Sequence, residues 1–161
     1  MPIVSFDQLP DSARVWVFGS ERPLAGAAAD TLLASVDQFL SEWRAHGIPL
    51  RCARDWRDDR FLAIGVDVNE ENASGCSIDG LFRTLQQLER VIGSRLVGAG
   101  RVFYRDDGAV ETTSREDFVA RVKSGRIRPD TPVFDMSLTG AAEWRSRFEQ
   151  PASESWASRY F

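Results

Sequence analysis

The chain has 161 residues, of which 43% are hydrophobic, and this is enough to bury the core of one ordinary domain or of two very small ones. Its net charge of −4 argues against broad electrostatic attraction to nucleic acid or to anionic membranes. One histidine and two widely separated cysteines, Cys52 and Cys76, exclude a zinc or iron–sulfur site built from soft ligands, so we expect no metal and no cofactor.

We expect neither a membrane span nor an export signal in this sequence. No apolar run approaches the roughly 20 residues that a membrane span requires, and residues 1–10 lack a basic segment ahead of an apolar one. We therefore expect a cytoplasmic protein that makes no use of a membrane. A disulfide framework is not expected in that reducing compartment.

The first part of the chain predicts a strand, a helix and a hairpin. Residues 14–19 read as a strand, and Pro23 opens a helix. The apolar stripe of this helix consists of Leu32, Val36, Phe39, Leu40 and Trp43. Residues 50–56 and 60–68 then flank the polar turn 57–59 as the two arms of a hairpin.

A second helix follows the hairpin and ends at Gly93. Its helically spaced apolar residues are Ile78, Leu81, Phe82, Leu85, Leu88, Val91 and Ile92. Residues 101–105 supply another strand, which gives the order βαββαβ of ferredoxin-like sandwiches, with two helices on one face of an antiparallel sheet. The predicted fold class is therefore α+β, with a ferredoxin-like core over residues 1–98 that shares the strand at 101–106.

The last part of the chain, residues 99–161, predicts a small β-hairpin and helix module that packs against this core. Asp107 and Gly108 form the turn of its hairpin, and Ser114 begins a helix close to a capping box. Residues 126–134 return as an extended segment, and a short helix and an aromatic C-terminal tail follow.

Four segments spread over nearly the whole chain resemble a small bacterial family of uncharacterised proteins. They read LPDSARVW at 9–16, FLAIGVD at 61–67, ASGCSID at 73–79 and SWASRYF at 155–161. Members of that family are often labelled "ABC transporter ATPase", which implies ATP hydrolysis. The residues do not support the label, because Lys123 lies outside any GxxxxGK[ST] loop whose lysine reaches the phosphates. We therefore expect no ATPase activity.

Residues 101–144 resemble the small bacterial GYF-like modules. The matching features are the aromatic pair Phe103 and Tyr104, the turn glycine Gly108, SGRIRPDTPVF at 124–134 and AEW at 142–144. This resemblance implies docking of a peptide or a protein. The chain departs from the pattern at 111–113, where Glu-Thr-Thr stands in place of Gly-Pro, and it lacks the Gly-Tyr-Phe triplet, so polyproline recognition is not implied.

The loop before the second helix is the candidate site for a small ligand. Ser74, Gly75, Cys76, Ser77 and Asp79 lie at the start of the helix, where free backbone N–H groups favour an anion. Cys76 is also the one candidate catalytic residue, as a thiolate or a redox sensor. The simpler interpretation is that the polar residues cap the helix and that Cys76 is buried, since no base is evident beside it.

Aromatic and arginine side chains are the candidates for binding a partner, because both are over-represented at interface hot spots. In the C-terminal part of the chain they are Phe103, Tyr104, Trp156, Arg159, Tyr160 and Phe161. The alternative for the tail is that its aromatic residues pack back on their own chain.

Two other clusters have a functional and a plain interpretation. Trp16, Phe18, Phe61 and Phe103 either form an aromatic sheet face like that of RNA-recognition motifs or are covered by the last third of the chain. Asp67, Glu70, Glu71 and Asp79 either surround Mg²⁺ or are solvated carboxylates. The acidic balance of the chain favours the plain interpretation of the first cluster.

These patterns together predict a cytosolic binding or adaptor protein that docks a protein partner or a second copy of itself, rather than an enzyme. The alternative function is a small-ligand binder for an anion or phosphate, or a cysteine-dependent enzyme, that uses residues 74–79. A deep pocket over Cys76 favours this alternative, whereas an exposed aromatic patch favours docking.

Overall fold

The computed structural model describes residues 3–161, and this part of the chain is a mixed α+β protein with four α-helices and three antiparallel sheets. The strands are β1 (Arg14–Ser20), β2 (Arg44–Ala45), β3 (Ile48–Pro49), β4 (Cys52–Arg57), β5 (Phe61–Val66), β6 (Leu96–Val97), β7 (Val102–Asp106), β8 (Ala109–Thr113), β9 (Pro132–Phe134) and β10 (Glu149–Pro151). The helices are α1 (Ala27–Ser41), α2 (Gly75–Ile92), α3 (Arg115–Lys123) and α4 (Ala141–Arg147).

The first sheet has the strand order β4-β5-β1-β6, and every neighbouring pair is antiparallel. Its hairpin turns through residues 58–60, and Asp58 and Asp59 there both have positive φ. α1 and α2 pack on one face of this sheet because each carries an apolar stripe. The buried residues of the two helices are Ala29, Leu32, Val36, Leu40, Ser77, Leu81, Leu85, Leu88 and Ile92.

The fourth strand of this sheet is not the one that the sequence predicts. Leu96–Val97 pairs with β1 at Gly19 and Ser20, whereas the predicted strand at 101–105 lies in the second sheet. A strand of two residues is too short to show an alternating pattern, so the sequence points to the longer apolar run that follows it.

The second sheet has the strand order β10-β9-β7-β8 and is antiparallel as well. Asp107 and Gly108 form the β7–β8 turn with positive φ, as their sequence predicts. α3 follows, and Ser114 caps it by accepting a hydrogen bond at Oγ from the Asp117 N–H over 3.1 Å.

The two sheets pack against each other through aromatic side chains. Phe61 of β5 lies at the centre, with its ring centroid 5.2 Å from that of Phe103, 4.6 Å from that of Phe134 and 4.9 Å from that of Phe148. The sheets approach so closely at Gly19 that a Cβ there would lie 2.5 Å from a Phe103 ring carbon. The C-terminal part of the chain, together with Phe6 and Leu9, therefore covers the face of the first sheet that the helices leave free.

This packing removes the aromatic sheet face considered for RNA binding. Trp16 and Phe18 point to the helix side of β1, because residues two apart along a strand share a face. Phe61 and Phe103 are fully buried between the sheets. The four residues therefore do not form one exposed surface.

The opposite face of the second sheet is covered by α3 and the C-terminal tail. Phe118 of α3 packs against Trp156, with ring centroids 5.3 Å apart, and against Tyr160, with centroids 6.2 Å apart. Phe161 remains 46% exposed. The tail is thus folded onto its own chain as far as Tyr160.

Within residues 3–161, no helix has the length and apolar character that crossing a bilayer takes.

Candidate functional site

The loop before α2 uses its polar side chains within the protein. Ser74 is the N-cap of α2, and its Oγ accepts a hydrogen bond from the Ser77 N–H over 3.2 Å. The Ser77 hydroxyl donates to the backbone carbonyl of Arg44, while the Ser77 carbonyl accepts from Trp43 Nε1 over 2.8 Å. These contacts support the capping interpretation. Gly75 and Asp79 are exposed on the outer side of the helix.

Cys76 is exposed, and the expectation that it is buried is wrong. The buried stripe of α2 begins one residue later at Ser77, and one residue is a rotation of about 100° around a helix. The buried thiol is instead Cys52, which lies in the core between α1 and the first sheet. Burial raises the pKa of Cys52 to about 12.

Thiol labelling of the native protein distinguishes these two cysteines. With iodoacetamide at about pH 8, near the ordinary pKa of a thiol, we expect mass spectrometry to find Cys76 modified and Cys52 untouched. Cys52 should react only after denaturation, because its thiol is buried and protonated. In Cys76→Ser, native labelling should stop. Modification of Cys52 at a rate similar to that of Cys76 would contradict the structure.

Two of the predicted partner-binding residues, Phe103 and Tyr104, are buried and cannot contact a partner. Both lie on β7, which has neighbours on both sides in its sheet and packed layers on both faces. The exposed fractions of the two side chains are 0% and 1%. The Tyr104 hydroxyl accepts a hydrogen bond from Arg121 Nη1 over 2.6 Å. Their aromatic character reflects the core of the protein.

The predicted tail residues Trp156 and Arg159 line a cavity of about 260 Å³ beside the second sheet, which we call the tail cleft. Its other side chains that matter for binding are Arg101, Arg115, Phe134, Asp135 and Met136. The cleft combines three arginines and one aspartate with an apolar wall, in a protein whose net charge is −4. It groups these three arginines with the rings of Phe134 and Trp156 around one cavity.

Trp156 is held rigidly in the wall of the tail cleft. Its Nε1 donates a hydrogen bond to the Phe134 carbonyl over 3.1 Å, and its ring packs on Phe118. The guanidinium of Arg115, the first residue of α3, lies 4.9 Å from the centroid of the Trp156 ring. This cation–π geometry fixes Arg115 beside the cavity without neutralising its charge.

Arg159 and Tyr160 form the next part of the cluster. Arg159 Nη2 donates a hydrogen bond to the Tyr160 hydroxyl over 2.8 Å, and its guanidinium lies 5.0 Å from the centroid of that ring. Hydrogen bonding from Arg115 and, to a smaller extent, from Arg159 lowers the pKa of the Tyr160 hydroxyl below its usual value.

Arg101 contributes the third guanidinium from the residue just before β7. Its Nε is buried and has no hydrogen-bond partner among residues 3–161, and the nearest carboxylate oxygen is Glu21 Oε1 at 4.0 Å. The one carboxylate that lines the cleft belongs to Asp135, whose Oδ1 accepts hydrogen bonds from the Ser137 backbone N–H and hydroxyl. Asp135 is therefore engaged in its own turn.

A larger groove of about 820 Å³ lies between the end of β1 and the end of α2. Its lining side chains are charged or polar, and the arginines there include Arg83, Arg90 and Arg95, which are all exposed. Glu21 and Glu89 supply opposite charge in the same groove. The tail cleft is the better candidate, because two of its three arginines, Arg115 and Arg159, lie over aromatic rings.

The carboxylates considered for Mg²⁺ do not form a site. Asp67 is paired with Arg51 over 3.1 Å, and its Oδ1 accepts a hydrogen bond from the Asn69 N–H over 3.0 Å. Over residues 3–161, no three histidine, cysteine, aspartate or glutamate side chains gather in a way that would hold a metal ion.

Comparison with known proteins leaves the tail cleft to be interpreted from its own geometry. No family model, curated protein or solved structure significantly matches this chain.

Proposed function

We propose that this protein is a binding or adaptor protein that docks a short segment of a partner protein in the tail cleft. The observation that carries the proposal is the grouping of Trp156 with Arg101, Arg115 and Arg159 around one cavity. Tryptophan and arginine are the residue types most enriched among those that dominate binding energy at protein interfaces.

Rigidity of the cleft supports the same function. Trp156 is fixed by its hydrogen bond to Phe134 and by packing on Phe118, so its ring does not have to be ordered on binding. Binding sites that are already formed lose less conformational entropy when a partner docks. The resemblance of residues 101–144 to GYF-like modules also favours docking, although here it is proposed at the tail and not at Phe103 and Tyr104.

We further propose that the first sheet with α1 and α2 is a ferredoxin-like sandwich. Its support is the strand order β4-β5-β1-β6 with antiparallel neighbours, which is the order that a βαββαβ chain produces. The cytoplasmic location remains part of the proposal, and it is supported by the two cysteines, Cys52 and Cys76, being free thiols.

Peptide display against the immobilised full-length protein tests the docking function. We expect wild type to enrich peptides with a shared motif and Arg159→Gln to lose that enrichment. Trp156→Ala should lose it too, provided that circular dichroism shows a folded protein. Arg128→Gln is the matched control, because Arg128 is an exposed arginine of the same sheet region that does not line the cleft.

Two results would contradict this function. One is the absence of any shared motif, or a motif enriched equally by wild type and Arg159→Gln. The other is a concentration-dependent dimer, measured by light scattering, that Trp156→Ala abolishes, because the occupant of the cleft would then be a second copy of the chain.

A further inference from the structure

We propose that the group recognised in the tail cleft is an oxyanion, a phosphate or a carboxylate, carried by the docked peptide and bound by the guanidiniums of Arg101, Arg115 and Arg159. This inference rests on the docking function proposed above and names the chemistry of the peptide. Guanidinium groups bind both oxyanions through parallel charge-assisted hydrogen bonds.

The first reason is that the three positive charges are not neutralised by hydrogen-bonded carboxylates. Within the described chain, the contacts of Arg115 and Arg159 are with aromatic rings and the Tyr160 hydroxyl. Arg101 lies 4.0 Å from a Glu21 oxygen, which is beyond hydrogen-bonding distance. Asp135 is the one carboxylate that lines the cleft, so the three arginines leave an excess of positive charge there, which a bound oxyanion offsets.

The second reason is the unpaired donor in Arg101. Its Nε is buried and has no acceptor among residues 3–161. Buried donors of this kind are rare, because each loses its hydrogen bonds to water without replacing them. Arg101 also lines the cleft, so its guanidinium brings unused donor capacity to the same cavity.

The third reason is that the cleft offers more than charge. Phe134, Met136 and Trp156 form an apolar wall next to the arginines, which suits the carbon chain that carries a phosphate or carboxylate in a peptide. Asp135 offsets only one of the three charges, and its Oδ1 is already bonded to Ser137.

A titration of the ¹⁵N-labelled full-length protein with inorganic phosphate tests the oxyanion site directly. We expect saturable shifts of the arginine Nε–H signals and of the Trp156 Nε1–H signal, and no such shifts with sodium chloride at equal ionic strength. Arg101→Gln and Arg159→Gln should each weaken phosphate binding by about tenfold, while Arg128→Gln should leave it unchanged. Shifts that do not saturate, or equal losses in Arg128→Gln and Arg159→Gln, would overturn the proposal.

Peptides separate this inference from the docking function on which it rests. One display-selected peptide is prepared with phosphoserine, glutamate or serine at the same position. We expect the first two to bind and serine to bind about tenfold or more weakly. If all three bind equally and phosphate does not compete, docking stands and the oxyanion inference fails. If phosphate saturates the site and no peptide displaces it, the oxyanion site stands and peptide docking fails.

Discussion

Trp144→Ala is expected to lower the free energy of unfolding by about 3–5 kcal/mol, the usual loss when a large aromatic side chain is removed from a packed core. Trp144 of α4 is fully buried, and its ring centroid lies 4.3 Å from that of Phe148. Its removal leaves a cavity between the two sheets that the surrounding aromatic rings cannot fill.

The Trp144 side chain also connects α4 to the edge of the first sheet. Its Nε1 donates a hydrogen bond to Asp55 Oδ2 over 2.9 Å, and the Arg57 guanidinium lies 4.2 Å from its ring centroid. Arg57 Nη1 also donates to the Trp144 carbonyl over 3.1 Å. Loss of the indole therefore weakens the attachment of the C-terminal part of the chain to the first sheet as well as the core.

Urea denaturation followed by circular dichroism measures this effect. Trp144→Phe keeps most of the buried ring but loses the donor to Asp55, so we expect a smaller loss of about 1–2 kcal/mol. Phe161→Ala is the matched control, because Phe161 is 46% exposed and its loss should change stability by less than about 0.5 kcal/mol. If Trp144→Ala were no less stable than Phe161→Ala, the result would contradict the packing of Trp144 between the two sheets.

Arg60→Met is expected to lower the free energy of unfolding by about 3 kcal/mol, because it removes the donors to three buried or partly buried backbone carbonyl oxygens. Arg60 Nη1 donates to the carbonyls of Ser20 over 2.9 Å and Glu21 over 2.7 Å, and Nη2 donates to the Val110 carbonyl over 2.9 Å. Burial lowers the pKa of Arg60, and the negative charge of Glu111 partly offsets this shift. The guanidinium nevertheless stays charged at neutral pH.

The loss of stability in Arg60→Met is partly offset, because a methionine avoids the cost of burying a charge. Arg60→Lys retains the charge but lacks the planar fork that reaches three carbonyls, so its stability should lie between those of wild type and Arg60→Met. Arg95→Met, at an exposed arginine, is the control and should be near wild type. Equal stability of Arg60→Lys and wild type in urea denaturation would refute the role given to the fork.

Local elements of the fold could be predicted because their signals lie within a few residues. β5 is a continuous apolar run, α2 has a serine cap and a glycine stop, and Asp107-Gly108 marks a hairpin turn. β6, with two residues, carries no such signal. Whether Cys76 is exposed depends on a shift of one residue along the helix. The apolar stripe of α2 does not define the buried face that closely, because two of its members, Phe82 and Val91, are themselves exposed.

The tail cleft could be predicted only in part. Trp156 and Arg159 follow from the hot-spot preferences of their residue types. Arg101 and Arg115 could not be placed with them, because one precedes β7, the other begins α3, and only tertiary packing brings them to the tail. The unpaired Arg101 Nε is likewise a property of packing and has no counterpart in the sequence.

The aromatic packing between the sheets has a consequence for the order in which the chain is made. A ribosome completes the first sheet when Val97 has emerged, but Phe148, which covers Phe61, is about 50 residues later. At roughly 5–20 residues per second, Phe61 stays without Phe148 for about 3–10 s during each round of synthesis, while Phe6 and Leu9, made earlier, cover Gly65 on the same face. We therefore expect apolar surface around Phe61 to stay exposed on the nascent chain until α4 and Phe148 have been made.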